Sequence, residues 1–108
     1  MESPWTKYTL RPSHVFLEQI KELTVQEKYL VAEKLKLAKQ NPFRYKSLHV
    51  PGLTKVFEIK ITLKNQYRRL IYVVDGNEIL VEGIIDRKND FKDLLPLLYK
   101  TRQERQKQ

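Results

Sequence analysis

Apolar side chains recur along the chain with two different periods, and the change from one to the other divides it into a helical part and a sheet part. Phe16, Ile20 and Leu23 are spaced by four and three residues, and Val31, Leu35 and Ala38 by four and three again. Each set falls on one stripe of an α-helix. Ser13 stands ahead of the first stripe as an N-cap, and Thr24 with Glu27 forms a Thr-x-x-Glu capping box ahead of the second. Both devices satisfy backbone N–H groups that a helix start leaves free. The first helix is expected to end near Leu23 and the second at Asn41-Pro42, since proline disfavours helix in the residue before it. Glu27, Lys28, Glu33, Lys34, Lys36 and Lys39 fall largely outside the second stripe, so the two segments make a helical hairpin with one side to bury.

From Lys55 the period is two. Phe57, Ile59, Ile61 and Leu63 point one way and Glu58, Lys60 and Thr62 the other, which leaves one face for a core and one for chemistry. Strands are predicted over 55–63, 67–74 and 78–85, joined by Lys64-Asn65-Gln66 and by Asp75-Gly76-Asn77. Connections this short, one with an Asp-Gly pair, make an antiparallel meander. Lys7 to Leu10 predicts a short first strand closed by Arg11-Pro12, and 43–53, with Pro51 and Gly52, a loop with one short edge strand. From Asp90 a terminal helix is expected, carrying Phe91, Leu94, Leu95 and Leu98, with Pro96 bending it or confining it to a first turn. The fold class is therefore α+β: an N-terminal helical hairpin packed on a small antiparallel sheet of about four strands, with a C-terminal helix.

At 108 residues the chain fits a single domain spanning 1–108, able to bury about 60–70% of its unfolded surface around one core. Its ordered part is expected from about residue 8 to 99, followed by a basic, flexible tail at 100–108. Cysteine is absent, which excludes disulfides, thiolate nucleophiles and cysteine zinc sites and suits a reducing cytoplasm. No apolar run approaches membrane-spanning length, and Met1-Glu2-Ser3-Pro4-Trp5 lacks the pattern of a signal peptide; a cytoplasmic protein with no membrane partner is expected. Lysine and arginine number 21 against 13 acids, a net charge of +8, of which the tail carries +3. A body that is basic without its tail points to a polyanion such as RNA, DNA or an acidic protein.

Position singles out three cations from the other lysines and arginines, and for Lys60 a solvated sheet face is the competing account. Lys60 lies on the polar face of its strand, Arg69 interrupts the apolar run Leu70-Ile71-Tyr72 at its start, and Arg87 follows the third strand in Asp86-Arg87-Lys88-Asn89-Asp90-Phe91. A charge in mid-strand must be paired or functional. Arg69 is then either a bidentate ligand for a phosphodiester or the partner of Glu58 or Glu82 on neighbouring strands. Glu58, two residues before Lys60, is either a general base toward a ribose 2′-hydroxyl or a neutralising partner for Lys60 or Arg69. His14 and His49 have no metal-ligand spacing, and Gly52, Gly76 and Gly83 form no phosphate loop. No metal and no cofactor are expected.

Phe57-Glu58-Ile59-Lys60-Ile61, Arg69-Leu70-Ile71-Tyr72 with the hairpin at Val73-Val74-Asp75-Gly76, and Arg87 followed by Phe91 together resemble the RelE/ParE superfamily, most closely the RelE-type mRNA interferase toxins of type II toxin–antitoxin systems. The resemblance covers about Tyr8 to Tyr99. It implies a ribosome-dependent endoribonuclease that cleaves mRNA through the substrate's own 2′-hydroxyl. Arg69 would bind the scissile phosphate and stabilise the pentavalent intermediate, Lys60 would support phosphate binding or activate the hydroxyl, and Arg87 would contact phosphate or the leaving oxygen. Phe91, Lys88 and Tyr72 would contact the substrate. Two positions depart from the common pattern: Glu58 stands where RelE-type sequences often carry a second lysine and HigB-like relatives a glutamate, and Phe91 where many relatives have tyrosine. Phenylalanine stacks on a base but transfers no proton.

The partners implied by the resemblance are a cognate antitoxin, acidic and partly disordered when free, the ribosome and its mRNA, and DNA only through the antitoxin complex. Two alternatives stand beside this reading: a non-catalytic member of the same fold, as a ParE-like gyrase inhibitor or a regulatory antitoxin-binding protein, and a basic RNA- or ribosome-binding module. Convergence of Lys60, Arg69 and Arg87 on one patch discriminates a catalytic site from a dispersed binding surface.

Overall fold

The computed structural model describes residues 8–87 and 91–106, the side chain of Phe91 excepted. Elements follow in the order β1 (Thr9–Pro12), α1 (His14–Lys21), α2 (Val25–Gln40), β2 (Lys46–Val50), β3 (Leu53–Leu63), β4 (Gln66–Asp75), β5 (Glu78–Asp86) and α3 (Phe91–Gln106). The sheet has five strands in the order β1-β5-β4-β3-β2. The meander β3-β4-β5 is antiparallel as expected, β2 joins it antiparallel, and β1 lies parallel to β5. The sheet is thus one strand larger than expected and mixed, because pairing of the first and last strands is a long-range contact that local patterning does not encode.

Both helix starts are capped as the sequence indicates. Ser13 accepts a hydrogen bond from the Phe16 N–H at 3.0 Å and donates to the Glu82 carbonyl at 2.6 Å, so one buried hydroxyl caps α1 and closes the free edge of β5. Gln19 continues that closure, donating to the Ile84 carbonyl at 2.8 Å and accepting from the Ile84 N–H at 2.7 Å. At α2 the Thr24 N–H donates to Glu27 at 2.9 Å and the Glu27 N–H donates to the Thr24 hydroxyl at 3.1 Å. The bond from the Thr24 backbone holds the Glu27 carboxyl below the usual carboxylate range.

Lys64 and Asn65 both have positive φ, 52° and 63°, so the β3-β4 connection is a two-residue turn of the mirror-image type that matches strand twist.

Two apolar layers flank the sheet. On one side Phe57, Ile59, Leu70, Tyr72 and Val81 pack under Phe16 of α1 and Val31, Leu35 and Ala38 of α2. On the other, Val56, Ile71 and Ile85 pack under Leu94, Leu97 and Leu98 of α3. The face reserved for chemistry by simple alternation is therefore half covered. A bulge in β5 arranges this: Ile71 pairs with Gly83 and Tyr72 with Val81, leaving Glu82 unpaired in the ladder. Residues 82 and 83 both turn toward α3. Gly83 brings the helix close, since a Cβ there would stand 2.9 Å from Leu97 Cδ1. Glu82, 1% exposed, accepts hydrogen bonds from Thr101 at 2.9 Å and from Arg105 at 2.7 Å.

Beside this clasp, the segment from residue 100 that was expected as a flexible tail is helical. The helix continues through Pro96 to Gln106, and only residues 107 and 108 of the tail lie outside the described residues. Pro96 removes one helical hydrogen bond, to Lys92. Both residues are exposed, so water satisfies the freed carbonyl, while Leu94, Leu97, Leu98 and the Glu82 clasp offset the loss. No helix among the described residues is long and apolar enough to cross a membrane.

Tyr72 is fully buried, stacked on Phe57 with ring centroids 5.4 Å apart, and donates its hydroxyl to the Pro42 carbonyl at 2.6 Å. Burial pushes its ionisation above the usual phenol range, reinforced by Tyr45 and opposed by Arg44. Because the folded-state value is raised, its contribution to stability is complete below the unfolded-state value of about 10 and declines as pH rises past it. Tyr72→Phe, which orphans the Pro42 carbonyl, is expected to cost about 1–2 kcal/mol at neutral pH in urea denaturation. The deficit narrows above about pH 10 as the wild-type protein loses this stabilisation.

Candidate functional site

The open half of the second sheet face begins where α3 ends its cover. Along β3 the side chains on this face run Val56, Glu58, Lys60 and Thr62, the first two buried and the last two exposed. Across from them on β4 stand Val73, Ile71, Arg69 and Tyr67, passing in the same direction from the covered to the open half. Lys60 and Arg69 are direct cross-strand partners, which sets their Cβ atoms about 5 Å apart. The remaining cation is joined by two contacts: Arg69 Nη2 donates to the Arg87 carbonyl at 3.5 Å, and the Arg87 guanidinium lies 5.0 Å from the centre of the Tyr67 ring. Lys60, Arg69 and Arg87 therefore meet over one patch rather than dispersing.

The β3-β4 register puts Lys60 and Arg69 on one face. The role of Glu58 depends on tertiary cover that alternation does not reveal. Its side chain is 1% exposed and lies 3.2 Å from Arg69 Nη1 and 3.9 Å from Lys46 Nζ. Among the described residues neither carboxylate oxygen accepts a well-aligned hydrogen bond; the negative charge is balanced by the two cations. Of the two roles open from the sequence, this geometry accords with the neutralising one, in which Glu58 holds Arg69. Glu82, the alternative partner for Arg69, is taken by Arg105 at 2.7 Å.

Tyr72 is also displaced from the site. It lies on the opposite face of β4 in the core beneath the helical hairpin, away from the patch. Lys88 lies outside the described residues, and Phe91 is described only as the first residue of α3. Two residues near the patch were not singled out from sequence. Lys46 faces Glu58 from β2, and the signal for it is absent because the short edge strand expected within 43–53 has no register that the sequence fixes. Tyr67, 65% exposed, is two residues from Arg69 and so shares its face, a relation already present in the alternation.

What the patch offers chemically is a concentration of fixed positive charge on a rigid sheet. Arg69, with 19% of its side chain exposed, is preorganised by Glu58 and the Arg87 carbonyl, and a held guanidinium loses little freedom on meeting a phosphate. A cleft of about 490 Å³ elsewhere, lined by Val50, Leu53, Leu95, Tyr99 and Arg102 among others, is mainly apolar and has no comparable convergence of charge.

No protein-family model matches the chain, and no curated protein matches it by sequence. Two solved structures resemble it. A double mutant of E. coli toxin RelE in the free state shares 16% identity over 90% of this chain and 96% of its own, with a TM-score of 0.63. The intact E. coli RelBE toxin–antitoxin complex contributes a chain of 21% identity, matched over 73% of this chain and 95% of its own, with a TM-score of 0.57. The protein has the RelE-type toxin fold.

The Glu58–Arg69 pair is expected to behave asymmetrically under mutation. Glu58→Gln leaves an arginine able to swing to solvent and costs about 2–3 kcal/mol. Arg69→Met strands a buried carboxylate beside the more distant Lys46 and costs about 3–5 kcal/mol. Glu58→Leu combined with Arg69→Met is expected to recover most of the second loss, as a positive coupling in a double-mutant cycle read by thermal unfolding.

Proposed function

We propose that the chain is the toxin of a type II toxin–antitoxin pair and acts as a ribosome-dependent endoribonuclease on mRNA. The observation that carries this reading is the convergence of Lys60, Arg69 and Arg87 on an open sheet face of a chain with the RelE-type fold. Arg69 binds the scissile phosphate and stabilises charge on the pentavalent intermediate. Lys60, exposed beside it, assists the substrate's 2′-hydroxyl, and Arg87 neutralises the leaving oxygen. The nucleophile belongs to the RNA, so the protein supplies charge, orientation and proton transfer and requires no metal or cofactor. Lys88 and Phe91 supply further substrate contacts in this reading.

An acidic antitoxin, partly disordered when free, is the expected inhibitor. One of the solved neighbours is itself a toxin–antitoxin complex, and the +8 charge of this chain favours an acidic partner that orders on binding. The antitoxin would provide any contact with DNA. The proposed setting is the cytoplasm, where ribosomes and mRNA are found.

One observation favours a second reading, a non-catalytic member of the fold acting on gyrase or only within an antitoxin complex. Arg69 is already engaged by buried Glu58, so phosphate must share a guanidinium whose charge is partly balanced.

Induced expression in a bacterial host, with primer extension on a reporter mRNA, separates the two. Wild-type chain is expected to arrest growth and produce new in-frame cuts. Lys60→Ala, on an exposed side chain, should fold normally yet cut at least about a hundredfold less, the scale of general acid–base or charge stabilisation. Arg69→Lys, which keeps a cation for Glu58 but not the bidentate fork, should lose cuts at unchanged soluble yield. Arrest without cuts selects the non-catalytic reading, and cutting by both variants overturns the assignment of the site.

A further inference from the structure

The Tyr67–Arg87 contact has no structural task that the fold requires. Tyr67 is 65% exposed, sits at the open end of the face and contributes to neither apolar layer. The Arg87 guanidinium, 5.0 Å from the ring centre, holds it by a cation–π contact. Thr62, exposed, is its cross-strand partner, and Arg69 lies two residues along the same strand on the same face. The ring therefore stands about 7 Å along the strand from the phosphate-binding arginine, a distance that one nucleotide spans from base to phosphate.

We propose that Tyr67 and Arg87 form a stacking site for one nucleobase of single-stranded RNA, adjacent to the phosphate seat at Lys60 and Arg69. The base lies on the exposed surface of the tyrosine ring, with the guanidinium on the ring adding positive charge, and its phosphate runs toward Arg69. Every base has a π-face, so the site takes any of the four and sets the position of the strand rather than its sequence. Thr62 offers a hydroxyl beside the ring for hydrogen bonding to the base edge. The inference deepens the endoribonuclease reading by naming how the strand is held, and it rests on that reading only for the identity of the polyanion.

Fluorescence anisotropy with labelled oligoadenylate of about eight nucleotides, compared with an abasic ribose-phosphate strand of equal length, tests the site on the full chain. Tyr67→Ala is expected to weaken oligoadenylate binding about 5- to 150-fold, the range for loss of one base–aromatic stack, and to leave the abasic strand unaffected. Tyr67→Phe should bind both as wild type does. The salt dependence should be unchanged in Tyr67→Ala, whereas Lys60→Ala should lower the slope by about 0.7. Equal loss on both strands, no loss on either, or failure of the wild-type chain to bind oligoadenylate at low salt would each overturn the proposal. A chain that cuts no mRNA but distinguishes the two strands through Tyr67 would refute the endonuclease reading alone. Cutting without any Tyr67 dependence of binding would refute the stacking site alone.

Discussion

A carboxylate buried in mid-sheet fixes the geometry of the candidate site. Glu58 has almost no contact with water, and a charge in that position is tolerated only beside opposite charge. Arg69 and Lys46 supply it from the two neighbouring strands. With one nitrogen drawn to Glu58, the guanidinium reaches the Arg87 carbonyl with the other, and Arg87 in turn rests on Tyr67. The order of dependence runs outward from the buried acid to the exposed aromatic, so the buried acid acts to aim a cation.

The second constraint is the cover that α3 gives to half of the same face. Without it, Val56, Ile71 and Ile85 would add an apolar patch to the basic one. The helix is held near its middle by close approach over Gly83 and toward its C-terminus by the Glu82 clasp with Thr101 and Arg105. Where its cover stops, between Glu58 and Lys60, the sheet changes from core to working surface within two residues.

Local features of the fold were legible in the sequence because their causes are local. Ser13, Thr24 with Glu27, and the turns at Lys64-Asn65 and Gly76 act within four residues of themselves, and the structure has them where the patterns indicate. The short meander brought Lys60, Arg69 and Arg87 to one end of the sheet. The parallel pairing of β1 with β5, the bulge at Glu82 and the persistence of α3 through Pro96 were not legible. Each is decided by residues far apart in the chain, and Pro96 is a case where tertiary packing outweighs a local breaker. The burial of Glu58 belongs to the same class, since its exposure is set by what packs over the sheet. Tyr67 differs: its shared face with Arg69 was implicit in the alternation, but an aromatic at a strand start reads first as core.

The Arg105 contacts have a consequence for the order in which the chain can acquire its structure. Arg105 donates to the carbonyl of Arg11 as well as to Glu82, and Glu104 accepts from the His14 N–H, so a segment near residue 105 completes an edge laid down near residue 11. During synthesis on a ribosome, β5 emerges well before Arg105 does. In that interval Glu82 has no arginine partner, and the apolar strip along Val56, Ile71 and Ile85 lacks the latter part of its helical roof. The polypeptide therefore reaches its full stability only after residue 105 is released, and vectorial synthesis delays assembly of the finished molecule.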